Sequence, residues 1–194
     1  EFSGEELTAI GRNFLGWALD GSTEIVEFPL TMGTSDITLN AVWEDIWYTV
    51  TWDVEGEKTE AEYHYNDEIV APEDPVKEGY SFKGWAETEG GAVIPYEDMP
   101  ETMPELAEGS TIEYYAVFEI NEYTVTFTVN GTQYDEQTIE HGKFATKPAT
   151  DPTPEQGKIF VGWAVSDNPN VAVDIASYPI TADTEFVAVI TDKD

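Results

Sequence analysis

Polar and apolar residues alternate through most of this chain, with the period of an extended strand rather than that of a helix. In "YTVTFTVNG" (123–131), Tyr123, Val125, Phe127 and Val129 fall on one side and threonines on the other, as in a half-buried strand. "YTVTWDVEG" (48–56) repeats the pattern. Asn130-Gly131, and Glu55-Gly56 at the equivalent place, follow these strands, and a tight hairpin demands the positive φ angles that such pairs supply. The return strand, "KTEAEYHYN", sets Ala61, Tyr63 and Tyr65 on one face and Glu60, Glu62 and His64 on the other. Next come "VAPEDPVKEG" and "TKPATDPTPEQG", too rich in proline for a long helix, although one short turn there has room to cover the sheet. A strand carrying Gly-Trp follows, then an acidic connection of variable length. The closing strand sets Ile112, Tyr114, Ala116 and Phe118 on one face. The pattern predicts a mainly β fold.

The elements recur. "GRNFLGWA" (11–18), "GYSFKGWA" (79–86) and "GKIFVGWA" (157–164) are three versions of one stretch, and "LNAVW" (39–43), "YYAVF" (114–118) and "FVAVI" (186–190) lie downstream of each. One full unit therefore runs over 47–120 and another over 121–194, while residues 1–46 hold only the second half of a unit. Between Trp43 and Tyr48 lies only "EDIW", and between Phe118 and Tyr123 only "EINE". Neither joint contains the Gly, Pro or Ser of a flexible linker, so short, stiff joints and an elongated array are expected.

The pattern of a "YTVTFTVNG" hairpin (123–131), an "APEDPVKEGYSFKGWA" segment (71–86) and a closing "DITLNAVW" strand (36–43), each quoted from a different copy, resembles the Listeria–Bacteroides repeat, the B-repeat of internalin-type bacterial surface proteins. About two and a half tandem copies cover nearly the whole chain. The third is looser, since "GKIFVGWA" lacks the tyrosine and Ile190 replaces the terminal aromatic. The resemblance implies α+β, β-grasp-like modules with small antiparallel sheets, strung on secreted or wall-attached proteins. It implies stalks and adhesion accessories at the bacterial cell surface or cell wall rather than enzymes, and it brings no catalytic residue, cofactor or defined ligand.

Composition narrows the partners. The 194 residues include 40 acids against 8 bases, a formal charge of −32. Such a surface repels nucleic acid, whose binding depends on cations neutralising phosphates, and also anionic membranes. Weak, diffuse divalent-cation binding is the natural exception. Hydrophobic residues at 41% and aromatics at 13% are enough for packed cores. Without cysteine there is neither a disulfide framework nor thiol chemistry. No apolar run approaches the ~18 residues of a membrane-spanning helix, and no signal peptide opens the sequence; an export signal or anchor would lie outside it.

The thrice-written stretch is the obvious candidate for a site, because tryptophan faces bind apolar sugar surfaces. Phe and Trp three residues apart face opposite sides of a regular strand, but the glycine between them is suited to a bulge that re-aims the Trp. Since each copy also needs an aromatic core, Phe14, Phe82, Phe160, Trp17, Trp85 and Trp163 are read as scaffold. Trp47, in a joint where the next copy has Glu122, is read as packing between neighbouring repeats ahead of an exposed ligand platform. Glu60, Glu62 and His64 spread over about 13 Å of strand, too far to converge on a metal. "SDNPN" (166–170) with Asp174 offers oxygens suited to calcium but lacks a calcium loop's spacing, so a turn is expected. His64 and His141 fall in different copies without a nucleophile beside them. Lys83, the one lysine inside an aromatic segment and the candidate for an isopeptide cross-link, is replaced by Leu15 and Val161 elsewhere. No catalytic, cofactor-binding or metal residue is assigned. The expected partners are neighbouring repeats, with a host protein or glycan as the alternative.

Overall fold

A computed structural model describes residues 7–193. Its strands are β1 (Arg12–Leu19), β2 (Leu39–Asp45), β3 (Tyr48–Val54), β4 (Glu57–Tyr63), β5 (Tyr80–Ala86), β6 (Thr111–Ile120), β7 (Glu122–Val129), β8 (Thr132–Glu140), β9 (Lys158–Val165) and β10 (Thr184–Asp192). They form a two-stranded sheet β1-β2 and two four-stranded sheets, β4-β3-β6-β5 and β8-β7-β10-β9. Both larger sheets have the order second, first, fourth, third. The mainly β, β-grasp-like tandem architecture is therefore present, but the sheets are mixed rather than antiparallel. β3 pairs parallel with β6, and β7 with β10. Parallel pairing needs a crossover connection of a dozen or more residues, and the chain between β3 and β6, and between β7 and β10, supplies it.

The hairpins form where the sequence places them. Glu55 and Gly56 adopt φ of 55° and 95°, and Asn130 and Gly131 of 52° and 77°. Gly56 N donates to Asp53 Oδ1 at 2.6 Å, closing the first turn. The return strand stops at Tyr63, short of the expected "KTEAEYHYN". His64 N donates to Asp67 Oδ2 at 2.7 Å, and Asn66 sits at φ 68°, so the chain turns away before His64 and Tyr65 can extend the ladder. No helix lies in the proline-bearing stretches. The short 3-10 turns are Tyr96–Asp98 and Ile175–Ser177, in the acidic connections before the closing strands.

By compactness the chain divides into two units: the described residues up to Pro75 with Gly84–Val117, and Val76–Lys83 with the described residues from Phe118 onward. In the first, Val50, Trp52, Trp85, Ala86, Met103 and Tyr114 are buried. Trp52 stacks on Tyr114 with ring centroids 4.7 Å apart and meets Trp85 edge-on at 4.8 Å. The second is built around Val125, Phe127, Ala145, Trp163, Ile175, Ile180 and Phe186. Phe127 stacks on Phe186 at 5.3 Å. Burying one such side chain stabilises the fold by about 1.5–3 kcal/mol.

Candidate functional site

In its first and third versions the thrice-repeated stretch folds as a bulge. Phe14 pairs with Trp43 and Gly16 with Val42, and Phe160 pairs with Ile190 and Gly162 with Val189. Leu15 and Val161 are the extra residues and turn outward to solvent. Because the register slips by one, Phe and Trp share a face. Phe14 meets Trp17 edge-on at 5.7 Å, and Phe160 meets Trp163 at 5.4 Å. The bulge requires glycine for two reasons. Gly16, Gly84 and Gly162 have φ of 141°, 133° and 156°, which L side chains avoid. The returning connection also passes over them: a Cβ on Gly16 would lie 2.6 Å from Ile25 Cγ2, and one on Gly84 2.8 Å from Val93 Cγ1. That connection is pinned by N–H donation from Val26, Ile94 and Val173 to the carbonyls of Trp17, Trp85 and Trp163, at 2.7–2.8 Å. Trp85 is 5% exposed and Trp163 2%, so neither face is available to a sugar.

The leading glycine of each stretch has a separate task. Gly11, Gly79 and Gly157 have φ of 70°, 77° and 88°. Their carbonyls accept from the N–H of Ile46, Asn121 and Lys193 at 2.9, 2.8 and 2.8 Å, tying the residue just beyond each closing strand back to the stretch. Two of these glycines lie under a ring from the hairpin that follows. A Cβ on Gly11 would collide with Tyr65, and one on Gly79 with the His141 imidazole. Tyr65 and His141 occupy the same place in their copies, each just before a residue of positive φ, Asn66 and Gly142. The N–H groups of those two residues donate to Met103 and Ile180 carbonyls at 2.8 and 2.7 Å. At His141 the joint is tightened further. His141 N donates to the Asn121 carbonyl at 2.8 Å, and Ser81 Oγ donates to Asn121 Oδ1 at 2.6 Å.

The remaining candidates separate. Trp47 lies against His64, ring centroids 3.6 Å apart, yet stays 54% exposed. Both residues belong to the 47–120 repeat, so this contact is internal to one copy, and the ring keeps an open face. His64 points to Asp67, at 3.4 Å from Nδ1, while Glu60 and Glu62 stay on β4. Among the described residues no three His, Cys, Asp or Glu side chains converge as a metal site would require. In "SDNPN" the chain turns through Asn168 N donating to the Val165 carbonyl. Asp174 caps the Ile175–Ser177 turn, accepting from Ala176 N at 3.2 Å. Lys83 reaches Glu119 at 3.0 Å on the surface rather than lying buried. Beside Gly11, a cavity of about 380 Å³ is lined in part by Arg12, Asp45, His64, Tyr65 and Asp67. Its charges are already matched, Arg12 Nε donating to Asp45 Oδ1 at 2.7 Å.

One brace has no counterpart in the sequence reading. Lys58 on β4 reaches over β3 to Glu113 on β6 at 3.0 Å, and Tyr115 Oη donates to the same carboxylate at 2.8 Å. The hydrogen bond from Lys58, then that from Tyr115, hold the Glu113 carboxyl below the usual carboxylate range. Lys58 in turn is raised, chiefly by its hydrogen bond to Glu113. Register set by two hairpin turns and a parallel crossover brings these residues together, so only local hints of it exist in the sequence.

The family model described as the Listeria-Bacteroides repeat domain matches residues 48–107 and 123–189, well over half of the chain. A protein provisionally named a membrane protein in Evansella cellulosilytica is 38% identical over 161 residues, 79% of this chain and 22% of that protein. Internalin H of Listeria monocytogenes is 35% identical over 116 residues, 60% of this chain and 20% of internalin H. The chain thus spans about a fifth of the length of these curated relatives. No helix among its described residues is long and apolar enough to cross a membrane.

Proposed function

The chain belongs to the Listeria–Bacteroides repeat family, and from that premise we propose that it is a non-catalytic spacer segment of a bacterial surface protein, carrying a functional domain away from the cell envelope. The joints are the observation that carries this reading. Each covered joint glycine is tied back by a backbone hydrogen bond and capped by a ring from the following hairpin, an arrangement suited to limiting bending between successive modules. The charge of −32 adds mutual repulsion between modules, which favours extension further. Two copies of one closed aromatic core, with a further half unit before them, give length without asking anything of the surface chemistry.

Small-angle scattering on the 194-residue chain at physiological salt tests the proposal. A spacer gives a pair-distance distribution with a long tail and a narrow range of joint angles. A near-spherical particle, or an ensemble bending freely at the joints, would sink it. The half-exposed Trp47 supports a second reading, recognition of a glycan or host protein at the first joint. That reading requires saturable quenching of tryptophan fluorescence by the ligand, lost in Trp47→Ala with the melting temperature preserved.

A further inference from the structure

Gly157 differs from the other two joint glycines in having no cover. Gly11 is buried beneath Tyr65 and Gly79 half-buried beneath His141, but Gly157 is exposed with nothing within 4 Å of where a side chain would begin. The rest of the joint is already built there. Gly157 holds the same left-handed φ, 88° against 70° and 77°, and its carbonyl already accepts from Lys193 N at 2.8 Å, as the other two accept from Ile46 and Asn121. A left-handed glycine closed by this hydrogen bond is a shallow seat with no Cβ, and rings cover both of its equivalents.

We propose that Gly157 and the Lys193 clamp form a docking seat for the hairpin turn of another Listeria–Bacteroides repeat. The partner is defined by chemistry. It places a flat tyrosine- or histidine-type side chain over Gly157, as Tyr65 lies over Gly11 and His141 over Gly79. The ring must stand just before a residue of positive φ, as Tyr65 stands before Asn66 and His141 before Gly142, because that turn aims it back at the glycine. Gly157 is thereby a specificity residue for module assembly. Any side chain there would occupy the space the ring needs, so glycine selects a ring-bearing repeat over an unrelated domain. The inference rests on the repeat architecture and not on the spacer role, since a docked repeat is equally compatible with a binding surface.

The test extends the chain after Lys193 with a second copy of residues 122–194, so that the copied histidine arrives at the interval that separates Asn121 from His141. Amide hydrogen exchange at Lys193 and nuclear Overhauser contacts at the Gly157 α-protons are read by NMR. The extended chain is expected to protect the Lys193 amide at least tenfold more than the unextended chain and to show contacts between Gly157 and the copied imidazole. Gly157→Ala strains the backbone in both chains, so the unextended variant supplies the baseline. In the extended chain the added protection and the ring contacts should vanish. Alanine in place of the copied histidine should remove them as well, with Gly157 intact, which keeps the test valid if Gly157→Ala folds poorly. Lys193 protection unchanged by extension, or raised but indifferent to both substitutions, would overturn the proposal. Because the readout is local, it is independent of whether scattering finds a rod.

Discussion

Trp163→Ala separates scaffold from binding site more sharply than any other substitution. The indole is 2% exposed and meets Phe127 edge-on at 5.0 Å, Phe160 at 5.4 Å and Tyr134 at 5.9 Å. Deleting a buried aromatic side chain costs about 3–5 kcal/mol, because lost transfer energy adds to a cavity that closes only in part. At roughly 0.05–0.15 kcal/mol per residue, a module of ~70 residues is stable by only about 4–10 kcal/mol. The substitution therefore removes a large share of the third repeat's stability. At about 4–8 °C per kcal/mol for a domain this small, its transition should fall by about 12 °C or more. Far-UV circular dichroism follows the melt without relying on the deleted indole, and hydrogen exchange by mass spectrometry assigns the loss to residues 121–194. Amides of β3, β4 and β6 should keep their protection near the far end of those strands. A loss below about 1.5 kcal/mol would refute the core assignment, as the ring would then be an expendable surface group. Equal loss of protection throughout both larger sheets would refute modularity instead.

Two further outcomes follow from charge. Glu113 has a lowered folded-state pKa, so its contribution is complete above the ordinary carboxylate range and disappears as pH falls through the folded value. Its carboxyl carbon should titrate below that range by NMR and move upward in Lys58→Met; a midpoint that stays put would show the brace to be incidental. Millimolar Ca²⁺ should change the melting temperature only slightly, by screening, whereas a saturable micromolar heat of binding abolished by one Asp or Glu substitution would make calcium a structural ligand.

The strands and hairpins were legible because each rests on a signal within a few residues: alternation for β3 and β7, and a two-residue turn at Glu55-Gly56 and Asn130-Gly131. The bulge was also legible, since Phe-x-Gly-Trp is one residue out of phase for a strand and contains the one amino acid that tolerates the correction. What the sequence hid is set by distance along the chain. Parallel pairing of β3 with β6 joins Val50 to Ile112, and no local pattern marks which way a closing strand returns. His64 and Tyr65 read as strand because alternation continues through them, whereas Asp67, which ends the strand by accepting from His64 N, lies just outside the alternating run. The joint glycines were visible in the opening position of all three stretches, yet their purpose emerges only when Tyr65 and His141 arrive from another copy.

Repetition by itself argues for scaffold, and the burial of the repeated residues explains why. A residue that must fill the same core in each copy is held to one identity and is hidden, as Trp85 and Trp163 are, so it has no surface with which to recognise anything. Core positions do vary between copies, as Trp52 and Phe127 do, but the variable positions that reach solvent are the ones with a surface to offer. Leu15, Lys83 and Val161 share the outward position of one bulge motif, and Trp47 and Glu122 share a place in the joint. If this segment recognises a partner beyond its own repeats, the determinants must lie among such copy-specific residues, and they then act once rather than three times. Trp47 meets that condition best, being large, half-exposed and supported from behind by His64. The joint glycines are the exception to the division. They recur like core residues, yet their task is to receive a neighbour, so the surface that repeats is the one that faces another repeat.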